Sequence, residues 1–311
     1  MAQTVKISDV VKWARTVPNL VPLLGVSGFE LEPAMTIAAQ VQAEIYAAPW
    51  NWKWNRSVAP TFYVNANQQD YCTTLTSVGW LESASRTDLQ TAGPNTPAEI
   101  WPVEAVQGLY PTTLRGMPLK VCWIPNSQAQ AGKWSAGASY TNPSTLKTVS
   151  NNPLTQILDS NGNIQIITGY GTTGTTEPVW STTIGATTID GTVTWTMVDP
   201  TGIAWRLDRL MGEQENGQAL SVTYQQKAPA YVNLSSLIGV PDEVAYVWRQ
   251  GFFALMLRHA ADGRYVSEYE IFEAYIQKAM GAADREPQSM QLVPDCALGG
   301  SGWSSWGWGV W

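Results

Sequence analysis

The feature that most constrains this chain is a change of hydrophobic period, made twice. Near the start, apolar residues recur at helical spacing: Val10, Val11, Trp13, Ala14 and Val17, then Met35, Ile37, Ala38, Val41, Ile45 and Tyr46. Through the middle the repeat shortens to two, as in Phe62 and Val64 or Leu220, Val222 and Tyr224. At the end the helical spacing returns in "GVPDEVAYVWRQGFFALMLRHAADG" and "YVSEYEIFEAYIQKAM". Side chains share a face every three to four residues on a helix and every two on a strand. The pattern therefore predicts an α+β chain, with N- and C-terminal helices around a β core.

Local signals agree with the period. Ser8 and Asp9 are candidate caps, Pro33 suits a first helical turn, and Pro49 stops the second helix. Pro241 and Asp242 open the third helix, and Gly263 closes it. The short connection to the fourth predicts an antiparallel αα-hairpin. Strands are expected in the segments "AEIWPVEAVQGLY", "PLKVCWIPN", "TGIAWRLDRL" and "ALSVTYQQKA", with a turn over Asn65–Asp70. Trp50, Trp52 and Trp54 alternate, which on a strand places all three on one face, as core, subunit interface or ligand platform.

Residues 127–200 differ in texture, being rich in Thr, Ser, Gly and Asn and poor in charge. Asn161-Gly162 and Asp190-Gly191 are hairpin turn dipeptides, and Val193, Trp195 and Met197 share one face of the strand that follows. These signals predict a small β-sandwich. Because the core texture resumes after it, the block is expected to be an insertion in a loop, where chain closure costs little more as length grows. The organisation is then residues 1–126 and 201–281 as a core, 127–200 as an inserted domain, and 282–311 as an arm. The arm ends in "GGSGWSSWGWGVW", with Trp303, Trp306, Trp308 and Trp311 separated by Gly and Ser. It has no pattern with which to build its own core, so it is expected to be extended and to dock elsewhere.

Charge and chemistry narrow the function. Only 14% of residues are charged and the formal net charge is −7. An acidic balance argues against nucleic acid as a specifically recognised partner. No run is long and apolar enough for a membrane span, and the start lacks a signal-peptide core, so synthesis in a reducing cytoplasm is expected. The three cysteines, Cys72, Cys122 and Cys296, form no C-x-x-C pair. The single histidine, His259, leaves no partner for a catalytic triad or a His-rich metal site. "GYGTTG" at Gly169–Gly174 fits the dinucleotide regular expression but is followed by Pro178 rather than a helix, so it reads as a turn. "DSNGN" at Asp159–Asn163 lacks the glutamate of a calcium loop. Glu268, Glu270 and Glu273 read as a solvated helix face. The expectation is a non-enzyme with no cofactor, no metal and no catalytic residues.

Four stretches resemble the head-to-tail adaptor (connector) proteins of tailed bacteriophages, especially short-tailed ones. They are the helix pair ending in "APWNWKWNR", the segment "TFYVNANQQDYCTTLTSVGWLESA", the run "AWRLDRLMGEQENGQALSVTYQQKAPAYVNLSSLIGVPDEVAYVWRQGFFALMLRHA", and residues 133–198. The last is similar to the immunoglobulin-like β inserts of phage virion proteins, with matching marks at Trp134, Tyr140, Gly174, Pro178, Trp180, Asp190, Gly191 and Trp195. "NPST" stands where those inserts usually carry a glycine.

The resemblance implies a virion protein of the head–tail neck. It would form a homo-oligomeric ring of about twelve copies, closed by head-to-tail contacts. The ring would dock beneath the portal protein, continue the channel through which genomic DNA passes, and present a surface to tail nozzle or tube proteins. It implies that Trp303, Trp306, Trp308 and Trp311 anchor in the portal. The expected contacts between copies are Trp248, Phe252, Tyr265, Tyr269 and Tyr275, because one helix face cannot bury that many aromatics. Two other readings stand beside it. One is a carbohydrate-binding virion or tail protein using Trp134, Trp180 or Trp195 of the insert. The other is a tail-tip or cell-wall hydrolase.

Overall fold

The computed structural model describes residues 2–16, 32–87, 96–109, 116, 120–145, 152–212 and 216–284. The protein is a mixed α+β chain. Its described residues hold five α-helices: α1 Ile7–Thr16, α2 Glu32–Tyr46, α3 Val103–Leu109, α4 Ala245–His259 and α5 Tyr265–Asp284. Two compact units are present, one from residues 1–45 and 230–311 and one from residues 46–229.

The first unit is helical. Ile7, Val10, Val11 and Ala14 give α1 one buried stripe. Helix α4 is buried on most of its circumference, with Val247, Trp248, Phe252, Leu255, Met256 and Leu257 all at 2% exposure or less. A helix apolar all round must be covered on several sides, and α1, α2 and α5 come from its own unit. Gly251 lets α5 close on α4: a Cβ there would lie 2.6 Å from the Phe272 ring. The N-terminal segment is tied in this unit to the residues just before α4. The Thr4 N–H and hydroxyl donate to the Asp242 carboxylate at 2.9 and 2.8 Å, and Ile7 N–H donates to Ser236 O at 3.1 Å.

The second unit is built on an eight-stranded sheet. Its strands are β1 Arg56–Val58, β2 Phe62–Tyr63, β3 Asp70–Cys72, β4 Val78–Thr87, β5 Thr96–Ile100, β6 Lys120–Pro125, β14 Ile203–Leu207 and β15 Ala219–Gln226. The order is β1-β15-β4-β5-β6-β14-β3, with β2 also paired to β15. Neighbours run antiparallel except β5 and β6, which are parallel. Parallel neighbours need a crossover, and α3 lies within it. One face of the sheet buries Leu81, Val121, Ile203, Trp205, Leu207, Leu220 and Val222 in a single cluster.

Between β6 and β14 the chain makes a smaller β layer. Strands β7 Gly132–Lys133, β9 Gln156–Leu158, β10 Ile164–Gly169, β12 Thr187–Asp190 and β13 Val193–Met197 form a sheet in the order β12-β13-β10-β9-β7. Strands β8 Ser139–Tyr140 and β11 Gly171–Thr172 form a separate pair. The layer leaves and rejoins the main sheet at one point, since Pro125 and Ile203 are cross-strand partners. Asn126 N–H donates to Gly202 O at 2.8 Å, and Ser127 N–H to Pro200 O at 3.0 Å, which holds the two connections together.

Both hairpins read from turn dipeptides are present. Gly162 and Gly191 take positive φ values of 81° and 62°, the left-handed region that only glycine enters freely. "GYGTTG" is not the glycine turn expected: Gly169 ends β10 and Gly171–Thr172 is strand β11, and β12 rather than a helix follows.

Two further expectations fail. Trp50, Trp52 and Trp54 lie in a coil and turn before β1, so no strand gives them a common face; Trp52 is buried while Trp54 is partly exposed. In "AEIWPVEAVQGLY" only the start is a strand. Pro102 cannot donate to a ladder, and its carbonyl instead accepts the Ala105 and Val106 N–H groups that begin α3.

Candidate functional site

The aromatic residues of the helical hairpin divide into two sets. Trp248 and Phe252 are fully buried, with rings stacked 5.5 Å apart, and the Trp248 indole N–H donates to Gln42 Oε1 at 3.2 Å. Their surface is spent inside the chain's own helical unit, so neither has area left to offer a second copy. Tyr265, Tyr269 and Tyr275 on α5 are half-buried. Tyr269 donates its hydroxyl to Glu44 Oε2 at 3.3 Å. Burial, with the Glu44 charge adding to it, pushes the Tyr269 hydroxyl up to about 12. Burial also raises the Glu44 carboxyl, against the lowering effect of its bonds to Tyr269 and Gln40.

Tyr275 meets Tyr246 of α4 edge-on at 5.4 Å, and Ile271 lies one turn before it. Tyr246 and Ile271 are each 39% exposed. Together the three residues form an apolar ridge on the outside of the hairpin. Trp303, Trp306, Trp308 and Trp311, expected as an anchor, lie outside the described residues, as does Cys296.

In the inserted layer, most of the residues that carry the resemblance come together. Asp190, 2% exposed, accepts hydrogen bonds from Trp134 Nε1 at 2.8 Å, Trp195 Nε1 at 3.4 Å and Gly174 N at 2.7 Å. Tyr140 and Trp180 each pack edge-on against Trp195. Trp195 is fully buried, and Trp180 is 5% exposed and donates to Glu177. These two indoles are core, and only the half-buried Trp134 keeps part of a face for a sugar ring.

A buried amide network fastens this layer to the main sheet. Gln68 Oε1 accepts Thr155 N–H at 2.9 Å while its Nε2 donates to Thr155 Oγ1 and Asp70 O, both at 2.8 Å. Asn65 donates to Pro153 O at 2.9 Å and accepts from Asn152 at 3.0 Å. Gln156 Oε1 accepts the Cys72 N–H, and its Nε2 donates to Gln130 O. Asp70, 1% exposed, takes the Gln130 N–H at 2.7 Å and a two-toothed bridge from Arg206 at 2.7 and 2.8 Å. In the sequence Asn65 and Gln68 read only as part of a polar turn. Nothing local marks them as buried, because their partners lie more than 80 residues away in the case of Asn65 and Gln68.

The conventional carriers of chemistry are dispersed. Among the described residues no group of three His, Cys, Asp or Glu side chains could hold a metal ion. Burial raises the Cys72 and Cys122 thiols to about 12, far from the thiolate that a nucleophile needs. His259 is exposed in the last turn of α4. Among the described residues no helix is long and apolar enough to cross a membrane. No protein-family model matches the chain, and no curated protein matches it.

Proposed function

We propose that this chain is a structural virion protein, the head-to-tail adaptor of a short-tailed bacteriophage. Copies of it form a ring under the portal that continues the DNA channel and receives the tail. The observation that carries the reading is the partly exposed ridge of Tyr246, Ile271 and Tyr275 on a hairpin whose Trp248 and Phe252 are fully buried. Exposed apolar side chains suit a permanent contact with another copy. The weakly charged composition, 14% Asp, Glu, Lys and Arg, agrees with a surface meant for assembly. The four stretches that resemble adaptor proteins support the same reading.

On this reading the layer inserted between β6 and β14 is the immunoglobulin-like insert of a virion protein, and its Asp190-centred tryptophan cluster is the core of that insert. Tyr265, Tyr269 and Tyr275 supply the contact between copies. The arm with Trp303, Trp306, Trp308 and Trp311 anchors in the portal, where many arms acting together convert weak single contacts into a stable joint.

The test is electron microscopy and analytical ultracentrifugation of the purified chain, alone and with its portal protein. Rings of about twelve copies are expected, and Ile271→Glu should abolish them while leaving the monomer folded. A chain that stays strictly monomeric in both conditions would sink the reading. Truncation after Asp295 separately tests the anchor, and unchanged portal binding would refute it.

A further inference from the structure

A cleft of about 320 Å³ opens between the main sheet and the inserted layer, both parts of one compact unit. Its volume lies within the roughly 300–1,000 Å³ of small-molecule sites. Phe62, Tyr63 and Tyr71 wall it from the main sheet, Tyr170 from the β10–β11 corner, and Trp205 contributes from the buried core. None of its lining residues is Asp, Glu, Lys, Arg or His. We propose that this cleft binds a neutral saccharide of one or two sugar rings.

Two features favour that ligand. Aromatic faces accept the C–H face of a sugar ring, and Tyr170 still has 36% of its surface exposed. Polar groups at the cleft also remain free: the hydroxyls of Tyr63 and Tyr170 and the Asn142 amide nitrogen take no partner among the described residues. Thr61 and Thr74 add exposed hydroxyls at the rim.

Other ligand classes fit less well. A phosphate or carboxylate ligand would find no cation among the lining residues. A lipid tail would find too many hydroxyl and amide groups. An extended peptide would need a free strand edge, and at Cys72 the β3 edge is already closed by Gln156. The site does not involve Trp134, Trp180 or Trp195, and it stands apart from the ring reading, which needs the helical hairpin.

The experiment is saturation-transfer NMR and titration of the full chain with methyl glucoside, maltose, cellobiose and chitobiose, using glucuronic acid as a charged control. At least one neutral sugar should bind in the millimolar range. Tyr170→Ala should weaken binding about tenfold, the scale of one lost stacking contact. Tyr63→Phe, which keeps the ring and removes the hydroxyl, should weaken it by a smaller factor. Circular dichroism of both variants checks that they remain folded. The proposal is overturned if no neutral sugar binds at tens of millimolar, if glucuronic acid binds best, or if binding survives both substitutions unchanged. Ring formation without sugar binding would remove this inference alone.

Discussion

The side chain of Gln156 closes the edge of β3: its Oε1 accepts the Cys72 N–H at 2.8 Å, standing where a neighbouring strand would otherwise pair. Gln156 itself is 1% exposed and belongs to the inserted layer, so one amide both blunts an edge strand and couples two sheets.

Removing that amide should therefore be costly. Gln156→Ala takes away the partner of the part-buried Cys72 N–H and of the Gln130 carbonyl. Each such loss is worth about 1–3 kcal/mol, and the thermal midpoint should fall by several degrees. Gln156→Glu keeps an acceptor for Cys72 but places a carboxylate where Nε2 now donates to the Gln130 carbonyl, and should also destabilise. Calorimetry of the two variants checks both outcomes.

Gly251 is required by the packing of α4 on α5. With Phe272 1% exposed and its ring 2.6 Å from where a Cβ would stand, Gly251→Ala must push the helices apart. Alanine favours a helix over glycine by about 1 kcal/mol, yet overpacking costs about 1–3 kcal/mol, so the net effect should be a loss. Denaturant unfolding gives the sign directly. A more stable variant would contradict the close approach of the helices.

The Glu44 carboxyl makes stability depend on pH in a defined direction. Burial raises its folded pKa above the ordinary 4.5. A raised carboxyl binds more protons in the folded state than in the unfolded state, so its contribution is most favourable below about 4.5 and is lost as pH rises through the raised value. Glu44→Gln keeps an oxygen for Tyr269 and removes the titration. The variant should match the native chain in acid and gain on it toward neutral pH. Parallel unfolding curves across that range measure the difference.

Cys72 and Cys122 should behave as inert core residues. With both thiols raised to about 12, the thiolate fraction at pH 8 is about one part in ten thousand. In a Cys296→Ser background, iodoacetamide should label the folded chain far more slowly than the unfolded one. Labelling at the rate of a free thiol would mean that the burial is wrong.

The hairpin surface offers a last comparison. Trp248→Ala and Ile271→Glu both change residues of α4 or α5, but their costs should separate. Trp248→Ala empties a fully buried site and should lose about 3–5 kcal/mol. Ile271→Glu falls on the partly exposed ridge and should shift monomer stability by no more than about 0.5 kcal/mol. Unfolding of the two variants under conditions that keep the chain monomeric makes the comparison.

What the sequence determined by itself is what depends on neighbours in the chain. Helical spacing located α1, α2, α4 and α5, because three and four residues bring side chains to one face whatever else surrounds them. Asn161-Gly162 and Asp190-Gly191 specified their hairpins, because positive φ is a property of the glycine and not of its partners. Tertiary structure decided the rest. Trp248 and Tyr275 look alike in an aromatic-rich helix pair, yet one is core and the other half-exposed, since burial depends on which elements pack around α4. Asn65 and Gln68 read as turn residues, because a polar side chain announces neither a partner 87 residues away nor the absence of water around it. The saccharide cleft was illegible for the same reason: Tyr63 and Tyr170 become neighbours only after the inserted layer is held against the main sheet by those amides.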